Sequence, residues 1–380
     1  MQRLRIAILG TGYWAQFQIA AWQAEGAEIV ALWNRTRRRA EETAARVCRR
    51  SEEADARTGD ALDNAASRTG AYSHNAARTC DAPDNEASSS GAPRVFDTPR
   101  QLFEWGAFDI ADVITGAEAH EELVLLAAEH NKAVICQKPM SSSLASCDRM
   151  ASACRKAGVW YAVHENFRYQ PQILKAAGAL NSGVIGRPLH AHLQLRSPDS
   201  AIMEKQPALK TMDHMALRDM GPHIFDVARF IFGEARSIYS RPLRCSPGIP
   251  VDDAAKSILQ MESGLALTCD LVHTFDYKLY VEGEAGVLRL NADNTIKMNV
   301  SGIVRDVDVG AWPVLDYIPA DDWALHGWFV FTALPLCVRA LMERYRAGLP
   351  AETSGEDNLR TMKLVFAAIQ SQDEDRVVYL

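Results

Sequence analysis

Apolar and polar positions alternate early in two ways along this chain. Arg5-Ile6-Ala7-Ile8-Leu9 is a short apolar, β-favouring run that ends at Gly10, and a helical stretch follows from Gln16 to Glu25. Glu28–Trp33 reads as a second strand, and a helix starting near Thr36 carries Ala40, Ala44, Ala45 and Val47. Residues 49–93 break the pattern. Arg, Asp, Ala, Ser, Asn and Thr dominate there, so the stretch buries too little surface to offset ordering and reads as a surface insertion. Periodicity resumes at Arg94-Val95-Phe96 with a short helix over 101–105. Strands are predicted at 109–115, 133–136 and 159–163, with helices at 120–130 and 142–157 between them. Strands alternating with helices predict a parallel sheet covered on both faces, in a unit spanning 1–165.

The pattern changes in the second half. A connecting helix over 168–181 and a strand over 189–195 come first. Strands follow at 236–243, 254–262, 265–273, 277–283, 286–290 and 295–300 with no helix among them, which predicts an open, largely antiparallel sheet. Helices are expected at 222–232, at 324–347 with a break near Pro335, and at 357–371. The expected fold class is α/β: a Rossmann doubly wound sheet over 1–165, then an α+β unit over 166–380.

With 380 residues, 48% apolar and 23% charged, the chain suits two globular domains. The net charge of −7 argues against nucleic acid as the main partner. No apolar run approaches the length of roughly 18 residues that a membrane helix needs, and no signal peptide is expected. The 8 cysteines show no C-x-x-C or zinc spacing, so reduced thiols and a cytoplasmic location are expected. The 10 histidines form no metal-binding spacing, and no metal is expected.

Gly10-Thr11-Gly12-Tyr13-Trp14-Ala15 sits between the first strand and its helix. Gly10 permits the turn, Gly12 admits a pyrophosphate to the backbone, and Ala15 allows close helix–strand packing, so the stretch reads as a dinucleotide site. The second strand ends in Asn34, where an acid usually binds the ribose. Asn34 can bond a ribose, while Arg35 or Arg38 can pair with a 2′-phosphate, so NAD and NADP both stay open. Gly10, Asn34, Thr115, Lys138 and His164 all lie at strand ends, where ligands of such sheets bind. Lys138 precedes Pro139, which holds it extended; it is either an exposed turn lysine or a group that stabilises charge on a substrate oxygen. Pro222 suits a first helical position, placing His223 in the first turn, where the helix dipole keeps imidazole neutral and able to accept a proton. Asp219 either caps that helix or bonds His223 or the substrate; Asp226 either joins the site or favours the helix start. Asn166 and Arg168 line a cleft or tie the two halves together. His120 lies near the same strand ends.

These motifs resemble the glucose–fructose oxidoreductase / inositol dehydrogenase / rhizopine-catabolism (Gfo/Idh/MocA) family. The resemblance rests on Gly10 to Ala15, Cys136-Gln137-Lys138-Pro139, Gly221-Pro222-His223-Ile224-Phe225-Asp226 and Thr353-Ser354-Gly355-Glu356-Asp357-Asn358-Leu359. It implies NAD(P)-dependent hydride transfer to or from a sugar, polyol or sugar derivative, with Lys138, Asp219 and His223 as the catalytic set. It also implies a homo-oligomer built through the C-terminal sheet. The expected cofactor contacts are Gly10, Gly12, Tyr13, Trp14, Ala15, Asn34, Arg35, Thr115, His120, Gln137, Lys138, Asn166 and Arg168. Gln137 replaces the usual Glu, and Glu118 adds a negative charge near the cofactor. Gln-Lys-Pro with His164-Glu165-Asn166-Phe167-Arg168 is similar to the D-apiose dehydrogenase subgroup. The rival reading is a non-catalytic dinucleotide-sensing regulator of the same fold.

Overall fold

Side-chain alternation in the first strand builds two cores. In β1 (Arg5–Leu9), Ile6 and Ile8 enter one core, while Ala7 and Leu9 enter another on the opposite face. This is seen in a computed structural model that describes residues 2–50, 92–198, 200–246, 248–311 and 328–380. Most of the anticipated insertion lies outside the described residues.

The first sheet adds β2 (Glu28–Trp33), β3 (Arg94–Phe96), β4 (Ile110–Val113), β5 (Ala133–Gln137) and β6 (Tyr161–His164). All neighbours pair in parallel, in the order β3-β2-β1-β4-β5-β6. This is the doubly wound arrangement the alternating pattern predicted. Its helices are α1 (Ala15–Ala24), α2 (37–50), α3 (Pro99–Trp105), α4 (His120–Glu129) and α5 (Leu144–Ala157).

After α6 (Pro171–Asn181), the second sheet comprises β7 (Pro188–Arg196), β8 (Ala235–Leu243), β9 (Ala254–Met261), β10 (Ala266–Val272), β11 (Tyr277–Gly283), β12 (Gly286–Asn291), β13 (Ile296–Val300), β14 (Ile303–Val307) and β15 (Val378–Tyr379). Its order is β14-β13-β12-β11-β7-β10-β9-β8-β15; β7 and β10 are parallel and the other neighbours antiparallel. Between β7 and β8 lie α7 (Ser200–Lys205) and α8 (Met215–Phe232), and α9 (Trp328–Arg346) and α10 (Gly355–Glu374) close the described chain with β15. Helices α8 and α10 pack on one face of this sheet. On the other face, Lys256, Ile258 and Gln260 of β9 stand exposed.

Several elements differ from expectation. The edge strand β14 is almost wholly exposed, so Ile303-Val304-Arg305-Asp306-Val307 carries no burial alternation for a pattern to reveal. Helix α9 runs through Pro335 without the anticipated break. It returns to the first sheet, where Phe331, Leu334, Cys337, Val338 and Leu341 join the core of α1 and β1. The Phe17 and Phe331 rings stand 5.2 Å apart, and Arg339 pairs with Glu25 at 2.8 Å. The expectation of reduced thiols fails at Cys48, which is disulfide-bonded; Cys136, Cys147, Cys154, Cys245, Cys269 and Cys337 are free. No described helix is long and apolar enough to cross a membrane.

Phe331 is fully buried in that seam. Phe331→Ala is expected to cost about 3–5 kcal/mol, read from urea unfolding, because the cavity cannot collapse between two packed helices. A cost below about 1 kcal/mol would place α9 outside the shared core.

Candidate active site

The C-terminal ends of the first sheet and the helix-covered side of the second enclose a cleft of about 520 Å³. Trp14, Thr115, Gln137, Lys138 and Asn166 line it from the first half; Ser197, Asp219, His223 and Lys278 line it from the second. At its rim Gly10 has φ +102°, and a Cβ there would stand 2.6 Å from the Ile114 carbonyl oxygen, so only glycine fits. A Cβ at Gly12 would meet nothing within 4 Å, which leaves the backbone open to a ligand. The hydroxyls of Thr11 and Thr115 and the Asn166 amide nitrogen are buried without a hydrogen-bond partner among the described residues. An open glycine turn at a helix start, ringed by unanswered polar atoms, fits a dinucleotide pyrophosphate and nicotinamide.

Two hydrogen-bonded side-chain pairs bear on the cleft. Lys138 Nζ donates to Asp219 Oδ1 at 2.8 Å and to the Asp219 carbonyl at 3.1 Å. His223 is buried, stacks on Phe167 with ring centroids 3.8 Å apart, and hydrogen-bonds through Nδ1 to Oε1 of Glu165. Burial drives His223 well below the ordinary imidazole range, and the Lys138 ammonium adds to that effect. Burial raises Glu165 to about 7. Above about pH 7, where Glu165 is ionised, the neutral ring gives its Nδ1 proton to Glu165 and keeps Nε2 as a proton acceptor.

Comparison with known proteins agrees with this geometry. A family model described as "Oxidoreductase family, NAD-binding Rossmann fold" matches residues 50–165, and one described as "GFO/IDH/MocA C-terminal domain" matches residues 173–289. A D-apiose dehydrogenase from Paraburkholderia graminis is 30% identical over 390 residues, covering 100% of this chain and 90% of the relative. The chain belongs to the Gfo/Idh/MocA oxidoreductase family. A myo-inositol 2-dehydrogenase from Thermotoga maritima is 27% identical, over 76% of this chain and 85% of its own. An oxidoreductase from Agrobacterium radiobacter, solved with NAD+, L-tartaric acid and magnesium, superposes with a TM-score of 0.79 at 26% identity, covering 100% and 98% of the two chains. The protein is thus an oxidoreductase with an NAD-binding Rossmann domain, and dehydrogenase relatives favour the enzyme over the regulator.

Of the residues expected at the site, Trp14, Thr115, Gln137, Lys138, Asn166, Asp219 and His223 line one cleft, and Glu118 lines it too. Tyr13 and Ala15 flank the glycine turn, with Ala15 buried at the start of α1. Other placements differ. Pro222 lies inside α8, which begins at Met215, so His223 is not in a first turn and burial rather than the helix dipole keeps it neutral. Asp219 answers Lys138 and leaves the His223 ring to Glu165, a residue sequence reasoning passed over. Its signal was an acid within a polar run after the last Rossmann strand. Arg168 does not line the cleft: Nε donates to Asp226 Oδ2 at 2.8 Å and Nη2 to Asp357 Oδ2 at 3.0 Å, so buried carboxylates hold it. Asp226 is accordingly a buried ion-pair partner rather than a helix-start charge. His120 is buried between the carbonyls of Met140 and Thr115, each at 3.2 Å, and braces two loops of the site. Asn34 accepts from the Thr11 N–H at 3.1 Å and donates to the Thr36 carbonyl, which ties it to the glycine turn. Arg35 is exposed, while Arg37 and Arg38 pair with Glu41 and Glu42.

Glu165 holds its proton more tightly folded than unfolded, so its favourable contribution is complete below about pH 4 and fades as pH rises toward 7. Glu165→Gln, whose amide oxygen still accepts from Nδ1, is expected to gain stability relative to the parent between about pH 5 and pH 8. Urea midpoints at the two pH values check this, and a constant difference would refute it.

Proposed function

We propose that this protein is an NAD-dependent dehydrogenase of a small neutral sugar or polyol, with His223, Lys138 and Asp219 as catalytic residues and Glu165 as the positioning partner of His223. The observation that carries the reading is the buried, neutral His223 facing the Lys138–Asp219 pair across a cleft that opens onto the glycine turn. When bound, the nicotinamide supplies the hydride acceptor or donor. In the oxidising direction His223 Nε2 takes the hydroxyl proton, and Glu165 stabilises the ring as it gains charge. Lys138 donates to the substrate oxygen as negative charge develops, and Asp219 holds the ammonium in place. Asn166 offers its unanswered amide to a hydroxyl or to the cofactor.

Relatives named for apiose and inositol support a polyhydroxyl substrate. NAD rather than NADP is supported by the pairing of Arg37 and Arg38 with Glu41 and Glu42 and by a structural relative that binds NAD+. A homo-oligomer through the second sheet is supported by exposed Ile258 (57%) on its open face.

The test is a titration with NADH and NADPH, followed by turnover on a pentose and polyol panel. His223→Ala is expected to lower kcat by about 10²–10⁴-fold while NADH affinity stays near the parent value. Parental turnover in that variant would remove His223 from the mechanism. Light scattering is expected to give a mass above the monomer, and Ile258→Lys should shift it downward; a monomeric parent would overturn the sheet contact.

A further inference from the structure

Strand alternation puts two polar residues where apolar ones are the rule. Ile110 of β4 lies in the core shared with α1, and Asp112 follows it by two positions on the same face. Ile135 of β5 belongs to that core, and Gln137 follows it by two. Strands covered on both faces are normally apolar at such positions. Gln18 of α1 joins the two. Its Nε2 lies 2.8 Å from Asp112 Oδ1 and 2.6 Å from Oδ2, and its Oε1 accepts from Gln137 Nε2. Trp22 Nε1 donates to Asp112 Oδ2 at 2.7 Å. Gln18, Trp22 and Asp112 are fully buried, and Gln137 is nearly so.

The chain of bonds has one consistent polarity. Trp22 can only donate, and an ionised carboxylate can only accept. Asp112 therefore draws the NH2 end of Gln18 toward itself. The Gln18 carbonyl then faces Gln137 and takes its NH2. Gln137 Oε1 is left with no protein partner among the described residues, on a side chain that lines the cleft beside Lys138 and Thr115. Reversing one amide sets like groups against each other where water cannot intervene. Asp112 itself does not line the cleft.

We propose that Asp112 is a positioning residue for the cofactor: through Gln18 it locks Gln137 with its carbonyl toward the cleft, where that carbonyl accepts a hydrogen bond from the carboxamide N–H of a bound nicotinamide. This rests on the NAD-binding reading of the site. It also accounts for an amide at Gln137 rather than an acid. The negative charge is housed behind the sheet surface, on Asp112, and reaches the cleft only as the orientation of a dipole. A glutamate at 137 would set a second carboxylate against the Gln18 carbonyl.

The experiment compares NAD with its 3-acetylpyridine analogue by isothermal titration calorimetry. The analogue keeps the ring and carbonyl but has a methyl group where the carboxamide has NH2, so it cannot donate. Titrations run at about pH 8.5, above the value of about 7 to which burial raises Asp112. The parent protein is expected to prefer NAD by about tenfold, the size of one net hydrogen bond. In Asp112→Asn the side chain accepts from Trp22 and donates to Gln18. Both glutamine amides then turn over, the Gln137 NH2 faces the cleft, and the preference disappears. Gln18→Met cuts the connection while leaving Asp112 and Gln137 in place, and is expected to shrink the preference as well; it also decides the matter if Asp112→Asn does not fold. A parent with no preference, or a Gln18→Met or folded Asp112→Asn variant that keeps the parental ratio, overturns the proposal. A parent that binds neither dinucleotide overturns the site reading beneath it, which is a separate and recognisable failure.

Discussion

A guanidinium held almost out of water organises the centre of this molecule. Arg168 follows β6 in a short turn, is 6% exposed, and is answered by Asp226 of α8 and Asp357 of α10. Removing one partner of such a set leaves an uncompensated buried charge, at about 3–5 kcal/mol. The cluster therefore admits one arrangement of α8, α10 and the turn that follows the last strand of the first sheet. Arg229 extends it, bonding Asp357, Glu234 and Thr361. Asp226 lies one helical turn beyond His223, and Arg168 lies three residues beyond Glu165. Fixing the ion pair fixes His223 and its carboxylate partner Glu165 together.

The motif near the end of the chain takes its meaning from the same constraint. Ser354 caps α10 by accepting from the Asp357 N–H, which presents Asp357 to Arg168 and Arg229. The Val163 N–H donates to the Thr353 carbonyl at 2.8 Å, stitching this segment to the last Rossmann strand. A Cβ at Gly355 would come within 2.3 Å of the Tyr161 ring, so the approach requires glycine. What reads as a distant signature is a clamp on the rear of the cleft.

Much of this was legible in the order of residues. Strand–helix alternation and the glycine turn specify the first sheet and its ligand edge, and the strands of the second sheet from β8 to β13 show as apolar runs without helices between them. The pairing of polar side chains was not legible. His164 to Arg168 is a run in which four of five side chains can hydrogen-bond, and only the packed structure shows that Glu165 meets His223 while Arg168 turns away to Asp226. Pro222 misled because proline is favoured at helix starts, whereas α8 carries it in the interior. Asp112 within an apolar strand gave no sign of its partners, since Gln18 and Trp22 lie far off in sequence.

Helix α9 leaves the second sheet behind and completes the core beneath α1. Spatial neighbourhood and chain order thus part company: the sheet that holds the dinucleotide is finished only by residues that arrive after the other sheet has been built. A fragment ending at the junction after β6 would leave Phe17, Ile19 and Leu341's place in the packing bare to water. The two sheets are laced together by this helix, so the second sheet cannot be exchanged among relatives as a cassette unless the returning helix is exchanged with the surface it covers.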